Sequence, residues 1–162
     1  MRNMVGKTIG IATAAMLGVF AAACGSDTIG AGRPIYTATL SSAKEPGSIV
    51  SSGTGTATFV DNGATIDWTM AFSGLTNVTQ SHIHGPCDAC TTAPVMINLF
   101  IPNTVTGAAR AITVQGQITN ANNANVSLDS LRTLFNNGKS YVNIHTSANP
   151  GGEIRGNVTR SN

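Results

Sequence analysis

The chain predicts an all-β fold, an antiparallel Greek-key β-sandwich of about seven or eight strands with one short helix. Three observations predict it. Apolar and polar residues alternate through most of the chain after residue 34, which is the period of a half-buried strand. Turn signals recur about every 8–12 residues. The composition holds 18 Gly and abundant Thr and Asn, and only 10% of residues are charged, which suits strands and turns better than helices.

Residues 1–23 read as a signal peptide. Arg2 and Lys7 precede an uncharged apolar run, Ile9 to Ala23. A run of about 15 residues suits a secretory signal and falls short of the roughly 20 that a transmembrane helix needs. It ends in Ala21-Ala22-Ala23-Cys24. This stretch resembles the lipobox of bacterial lipoproteins, in which the Cys is lipidated and becomes the mature N-terminus. Ala21 departs from that pattern, since Leu is usual there. The same residues also fit ordinary signal cleavage after Ala23. Residues 24–34 then form the lipidated Cys and a small, polar, flexible tether. The chain has three Cys, Cys24, Cys87 and Cys90. Lipidation of Cys24 leaves Cys87 and Cys90 as a pair able to close a small disulfide loop.

The folded domain is expected over residues 35–160. Tyr36 to Leu40 is the first strand. Strands at 54–61 and 64–73 flank Asp61-Asn62-Gly63, a tight-turn sequence, and should form a hairpin. In the second of them Ile66, Trp68, Met70 and Phe72 share the core face. Val95, Ile97, Leu99 and Ile101 alternate after Pro94. Ile112, Val114 and Ile118 do so more weakly, with Gly116 marking a bulge or a close approach. Residues 103–110 and 119–126 read as polar loops. Leu128, Leu131, Leu134 and Phe135 recur at helical spacing, with Ser127 as cap and Gly138 as stop. Strands at 141–146 and 152–158 should pair across the turn Asn149-Pro150-Gly151-Gly152.

The chemistry-bearing residues are concentrated. All three His and one of the two Glu fall in two motifs. The first is Ser81-His82-Ile83-His84-Gly85-Pro86. The second runs from Tyr141-Val142-Asn143-Ile144-His145-Thr146 to Glu153-Ile154-Arg155-Gly156. On a strand, Ile83 takes the core face, while His82 and His84 point outward or into a polar groove. Val142 and Ile144 face the core, and Tyr141, Asn143 and His145 the other side. Ile154 and Val158 face inward, and Glu153, Arg155 and Asn157 outward. Two imidazoles at i and i+2 can share a metal ion, and His145 with Glu153 would complete a copper or zinc site. In the alternative reading the His residues pin loops by hydrogen bonds, and Glu153–Arg155 is a surface pair. Cys87 and Cys90 follow His84 directly and read as a structural disulfide, or as soft copper ligands or a redox dithiol.

Several function classes are excluded. From residue 24 onward there are seven basic and seven acidic residues, so no basic surface favours nucleic acid. Aromatic residues make up 5% of the chain, too few for a base-stacking platform. No Gly-x-Ser-x-Gly nucleophile turn and no phosphate-binding Gly loop with its Lys is present.

The motifs and their surroundings resemble the CHRD (chordin) domain. The matching residues begin at Ala38-Thr39-Leu40-Ser41-Ser42-Ala43-Lys44-Glu45-Pro46 and continue through Gly55-Thr56-Ala57-Thr58-Phe59, Gly74-Leu75 and His82-Ile83-His84-Gly85-Pro86. They close with Gly138 to Thr146 and Pro150 to Gly156. Departures are Glu45-Pro46-Gly47, where a further apolar residue and a Pro pair are usual, and the Cys pair in a loop that is usually Gly- and Ala-rich. The resemblance implies a compact, extracellular, all-β domain, with Glu45, Asn143 and Arg155 as motif residues. A second similarity is to copper-zinc superoxide dismutase, carried by Gly74-Leu75, His82-Ile83-His84 and a later strand with His145. The further zinc-binding His of that enzyme have no counterpart here, so the similarity implies a copper or zinc site and no dismutase activity.

The expected function is a non-enzymatic binding or structural role for a CHRD-domain lipoprotein. It would be exported across the cytoplasmic membrane and lipid-anchored at the outer membrane or cell surface. Without lipidation of Cys24 it would be periplasmic or extracellular and soluble. Its partners would be the membrane, through the lipid, and an envelope or extracellular protein, with no nucleic acid. The second expectation is a copper- or zinc-binding protein with His82, His84 and His145 as ligands and Glu153 as ligand or supporting carboxylate.

Overall fold

The computed structural model describes residues 32–87, 91–99, 110–122 and 125–162. The signal peptide, Cys24 and the tether through residue 31 lie outside these residues, as do Cys90, Ile101 and the loop at 103–109.

Among the described residues the chain forms nine strands, one α-helix and one turn of 3-10 helix. The strands are β1 (Ile35–Ser41), β2 (Thr54–Asp61), β3 (Ile66–Ser73), β4 (Val78–His84), β5 (Val95–Leu99), β6 (Ile112–Ile118), β7 (Tyr141–Thr146), β8 (Ile154–Asn157) and β9 (Thr159–Arg160). Helix α1 spans Leu128–Asn136 and the 3-10 turn Ser42–Lys44. The fold is therefore all-β with one short helix, as expected. The ninth strand is two residues long, too short to leave an alternation in the sequence.

The period-two pattern sets the core. Tyr36, Ala38 and Leu40 on β1, Ala57 and Phe59 on β2, and Ile66, Trp68, Met70 and Phe72 on β3 are all buried in one apolar cluster. The β2–β3 pairing runs without interruption from Thr54↔Ser73 to Asp61↔Ile66, so the predicted hairpin forms. Gly116 lies directly across from Trp68 in an unbroken register. There is no bulge at this point. A Cβ on Gly116 would lie 2.6 Å from the indole ring, so the close approach is the reason for glycine.

Helix α1 closes one side of the core. Leu128, Leu131 and Phe135 are buried, and the Phe135 ring sits 5.1 Å from Tyr36 and 5.0 Å from Phe59. Ser127 caps it by accepting the Ser130 N–H, which satisfies one of the free amides of the first turn. Arg132 ties the helix to the hairpin tip, its Nε 2.8 Å from Asp61 Oδ2 and its Nη2 2.9 Å from Asp61 Oδ1.

Hydrogen bonds join the strands along one antiparallel path, β5-β4-β7-β8-β1-β2-β3-β6, with β9 beside β1. The path narrows at β8–β1, which share a single register pair, Ser41↔Arg155. On one side of this junction β7 lies between β4 and β8, and all six of its residues are buried. One face of this three-strand ribbon carries Ile83, Val142, Ile144 and Ile154 into the core. The other face carries the polar motif residues.

The strand prediction needs one correction on β5. The register shifts between Ile83 and His84, which pair with Ile97 and Val95. This irregularity leaves Val95 exposed and buries Met96. Simple alternation from Val95 to Ile101 therefore does not hold at its first residue.

Candidate metal centre

The β4–β7 register builds the site. His82 pairs with Asn143, His84 with Tyr141 and Gln80 with His145. By strand alternation the three imidazoles, Asn143 and Tyr141 all leave the face opposite the core. Arg155 joins them from β8 by its pairing with Asn143.

This face is not open to solvent. His82 and His84 are each 8% exposed, His145 6% and Asn143 2%. The outward orientation is thus corrected to the second option, a polar groove. Loops roof it. The Ala93 carbonyl reaches His84, and the Tyr141 hydroxyl accepts the Ala93 N–H. The Pro150 carbonyl reaches His145. Arg155 donates from Nε to the Lys44 carbonyl and from Nη1 to the Thr91 carbonyl, at 2.5 and 3.0 Å. Its guanidinium lies 4.6 Å from the Tyr141 ring centroid. The His84 ring stacks on Tyr141 with an interplanar angle of 2°.

The hydrogen bonds assign the tautomers. His84 Nδ1 lies 2.7 Å from the Ala93 carbonyl, and His145 Nδ1 2.7 Å from the Pro150 carbonyl. A carbonyl oxygen only accepts, so both Nδ1 atoms carry the proton. In the neutral rings both Nε2 atoms then carry a lone pair. His84 Nε2 is buried and has no hydrogen-bond partner among the described residues. His145 Nε2 lies 3.0 Å from His82 Nδ1 and 3.0 Å from Asn143 Oδ1. One nitrogen from each of the three rings falls within 4.8 Å of the others.

Burial favours the neutral form of His82 and His145. His82 is pushed down to about 4, first by burial and then by the neighbouring His145 and His84. His145 is lowered too, chiefly by burial, with the Pro150 carbonyl opposing and His84 assisting. Neutral imidazole is the form that binds a metal ion. A ring whose Nδ1–H is held by a backbone carbonyl presents Nε2 in a fixed direction, the usual arrangement behind a histidine ligand.

The carboxylates fall elsewhere than expected. Glu153 is buried but does not join the imidazole cluster. Its two oxygens accept the Ser51 and Thr146 hydroxyls, each at 2.5 Å. Burial pushes its pKa up, but the two hydroxyl bonds, with the Asn149 side chain assisting, outweigh it and leave the pKa lowered. The reason is local. Strand β8 begins at Ile154, so Glu153 sits in the turn and alternation does not direct its side chain. Nor does it pair with Arg155. The ion pair is Glu45 Oε2 to Arg155 Nε at 3.8 Å, and neither side chain is exposed. Glu45 is 7% exposed. Its pKa is raised to about 6 by burial, against the opposing effects of Arg155 and the nearby Asn143 amide. Glu45 enters the sequence reading only as a motif residue, because nothing local connects it to the histidines.

Cys87 is buried, and its N–H donates to the Lys139 carbonyl. The Cys87–Cys90 pairing lies outside the described residues at Cys90.

No curated protein and no solved structure matches this chain. The CHRD domain profile matches residues 36–158, a span that includes every strand from β2 to β8, the helix and all three histidines. The chain belongs to the CHRD-domain family.

Proposed function

We propose that this chain is an exported, non-enzymatic CHRD-domain protein that binds a transition-metal ion, zinc or copper, through His82, His84 and His145. The observation that carries the reading is the donor set: three buried imidazoles converge, and His84 Nε2 has no hydrogen-bond partner among the described residues. A buried lone pair without a donor costs roughly 1–3 kcal/mol, and a metal ion is one group that would satisfy it. Three nitrogen donors suit both zinc and copper. The ion would lock β4 to β7 and hold the roofing loops in place, so its role is to stabilise a binding surface rather than to turn over a substrate. The membrane enters through Cys24, as a lipid-anchored protein of a bacterial envelope with an envelope or extracellular protein partner. The signal-like residues 1–23 and the small-residue run into Cys24 support that part. A Cys87–Cys90 disulfide fits the same exported compartment.

Two experiments test the two parts. Zinc or copper(II) at a hundred times its dissociation constant should stabilise the protein by about 2.7 kcal/mol. The thermal midpoint should then rise by roughly 10 °C, and the His82→Ala/His84→Ala/His145→Ala variant should show no rise. An unchanged midpoint in the wild type overturns the metal reading. Labelled palmitate should enter the wild type in a bacterial host and be lost in Cys24→Ala. Labelling that survives in Cys24→Ala, or is absent from both, overturns the anchor.

A further inference from the structure

We infer that Asn143 supplies a fourth donor, its Oδ1, to the ion held by His82, His84 and His145, and that Glu45 is the positioning carboxylate that turns this oxygen inward. The inference rests on the metal reading above and goes beyond it in naming the ligand set and its support.

The first observation is a mismatch of partners. His145 Nδ1 is committed as a donor to the Pro150 carbonyl, so a neutral His145 has only a lone pair at Nε2. Yet Asn143 Oδ1, which also carries lone pairs and no proton, lies 3.0 Å from that Nε2. Asn143 is 2% exposed, so water does not separate the two. His82 Nδ1 can donate to His145 Nε2 at 3.0 Å, and that bond uses the lone pair and leaves Oδ1 unmatched. Two facing acceptors in a buried site repel, whereas a cation between them attracts both. The orphaned Nε2 of His84 belongs to the same cluster. Metal–nitrogen and metal–oxygen bonds of about 2.0–2.2 Å place tetrahedral donors roughly 3.3–3.6 Å apart. The 3.0 Å between Asn143 Oδ1 and His145 Nε2 would widen by a few tenths of an ångström to admit the ion.

The second observation fixes which way the amide points. An Asn amide is oriented by its hydrogen-bond network. The Asn143 nitrogen faces Glu45: Asn143 Nδ2 and Glu45 Oε1 are both among the three atoms nearest a Cβ placed on Gly152, and Glu45 Oε1 is buried without a hydrogen-bond partner among the described residues. Glu45 only accepts when ionised, so it selects the NH2 group and leaves the oxygen for the imidazoles. Arg155, ion-paired with Glu45 and held by two backbone carbonyls, keeps the carboxylate in place. Gly152 has φ +130°, and a Cβ there would overlap both groups. The second glycine of Pro150-Gly151-Gly152 thus makes room for the Glu45–Asn143 contact. The resulting site has three nitrogens and one amide oxygen, with the Glu45 carboxylate beside the amide. That set suits a divalent zinc or copper ion.

The test is a chelator-competition titration of the purified protein with zinc and with copper(II), alongside the copper(II) electron paramagnetic resonance spectrum. Asn143→Ala should weaken binding about 10–100-fold and change the copper hyperfine pattern. Asn143→Asp keeps an oxygen at the position. It should hold affinity within about tenfold of the wild type or tighter, again with an altered spectrum. Glu45→Leu should weaken binding about tenfold, and Glu45→Gln, which keeps a carbonyl acceptor for the amide, should restore it. If Asn143→Ala does not fold, the Asn143→Asp spectrum still decides. Wild-type affinity and an unchanged spectrum in the Asn143 variants would overturn the fourth ligand while leaving the three-histidine site standing. No binding by the wild type would overturn both, and the two failures are distinguishable by the wild-type titration alone.

Discussion

Gly151 and Gly152 are adjacent, but replacement by alanine should be costly at Gly152 and nearly neutral at Gly151. Gly152 holds φ +130°, a region that other residues enter only at a cost of about 1–3 kcal/mol. A Cβ there would also lie 2.9 Å from Asn143 Nδ2 and closer still to Glu45 Oε1. Overpacking of this kind adds about 1–3 kcal/mol. Restricting the unfolded chain returns about 0.4–1 kcal/mol. Gly152→Ala should therefore lose on the order of 2–5 kcal/mol, or roughly 8–20 °C in Tm for a domain of this size. Gly151 has no atom within 4 Å of the Cβ position and no left-handed φ. Gly151→Ala should stay within about 0.5 kcal/mol of the wild type. Urea denaturation followed by Trp68 fluorescence, with a chelator present to remove any metal contribution, measures both. Equal stability of the two variants, or a loss below about 1 kcal/mol for Gly152→Ala, would refute the packing argument.

The remaining predictions concern charge. His82 has a folded pKa of about 4 against 6.5, so between those values the unfolded chain alone binds the proton. Stability should then rise with pH across that window, by up to about 3 kcal/mol from His82, and His145 adds in the same direction. Glu45, raised to about 6, acts oppositely, its share falling by up to about 2 kcal/mol as pH rises from about 4.5 to 6. Urea midpoints between pH 4 and 7 should increase with pH, flatten in His82→Asn and steepen in Glu45→Gln. A wild-type slope that His82→Asn leaves unchanged would contradict the assignment. Asp61→Asn removes the charge paired with Arg132 between the hairpin tip and α1 and should cost about 1–3 kcal/mol at pH 7. The Asp61 pKa is lowered, chiefly by its hydrogen bond from Arg132, so its contribution is present above about pH 4 and lost as pH falls through the folded value. The difference between Asp61→Asn and wild type should shrink accordingly in acid.

Local pattern carried most of the fold. The alternation of Ile66, Trp68, Met70 and Phe72, the Asp61-Asn62-Gly63 turn and the Leu128–Phe135 spacing each act within a few residues, and each appears where the sequence places it. Val95 departs because a register irregularity opposite His84 changes which side chains enter the core, and no residue of β5 announces it. The site was half legible. His82 and His84 share a strand face by spacing alone. Their meeting with His145 depends on pairing between β4 and β7, which are 63 residues apart at the His82–His145 contact. The burial of that face depends on Ala93, Pro150 and the Lys44–Glu45 segment, none of which has a periodicity that points at the groove. Glu153 attracted the role of supporting carboxylate because it is close in sequence to His145. Glu45, far away in sequence, approaches through Asn143 instead.

The claim that the polar groove is a metal centre is tested most directly by metal content. The purified protein would be incubated with zinc and with copper, desalted and measured by mass spectrometry beside the His82→Ala/His84→Ala/His145→Ala variant. About one equivalent in the wild type and none in the variant is the predicted result. No retained metal in the wild type, or equal retention in both proteins, would contradict it.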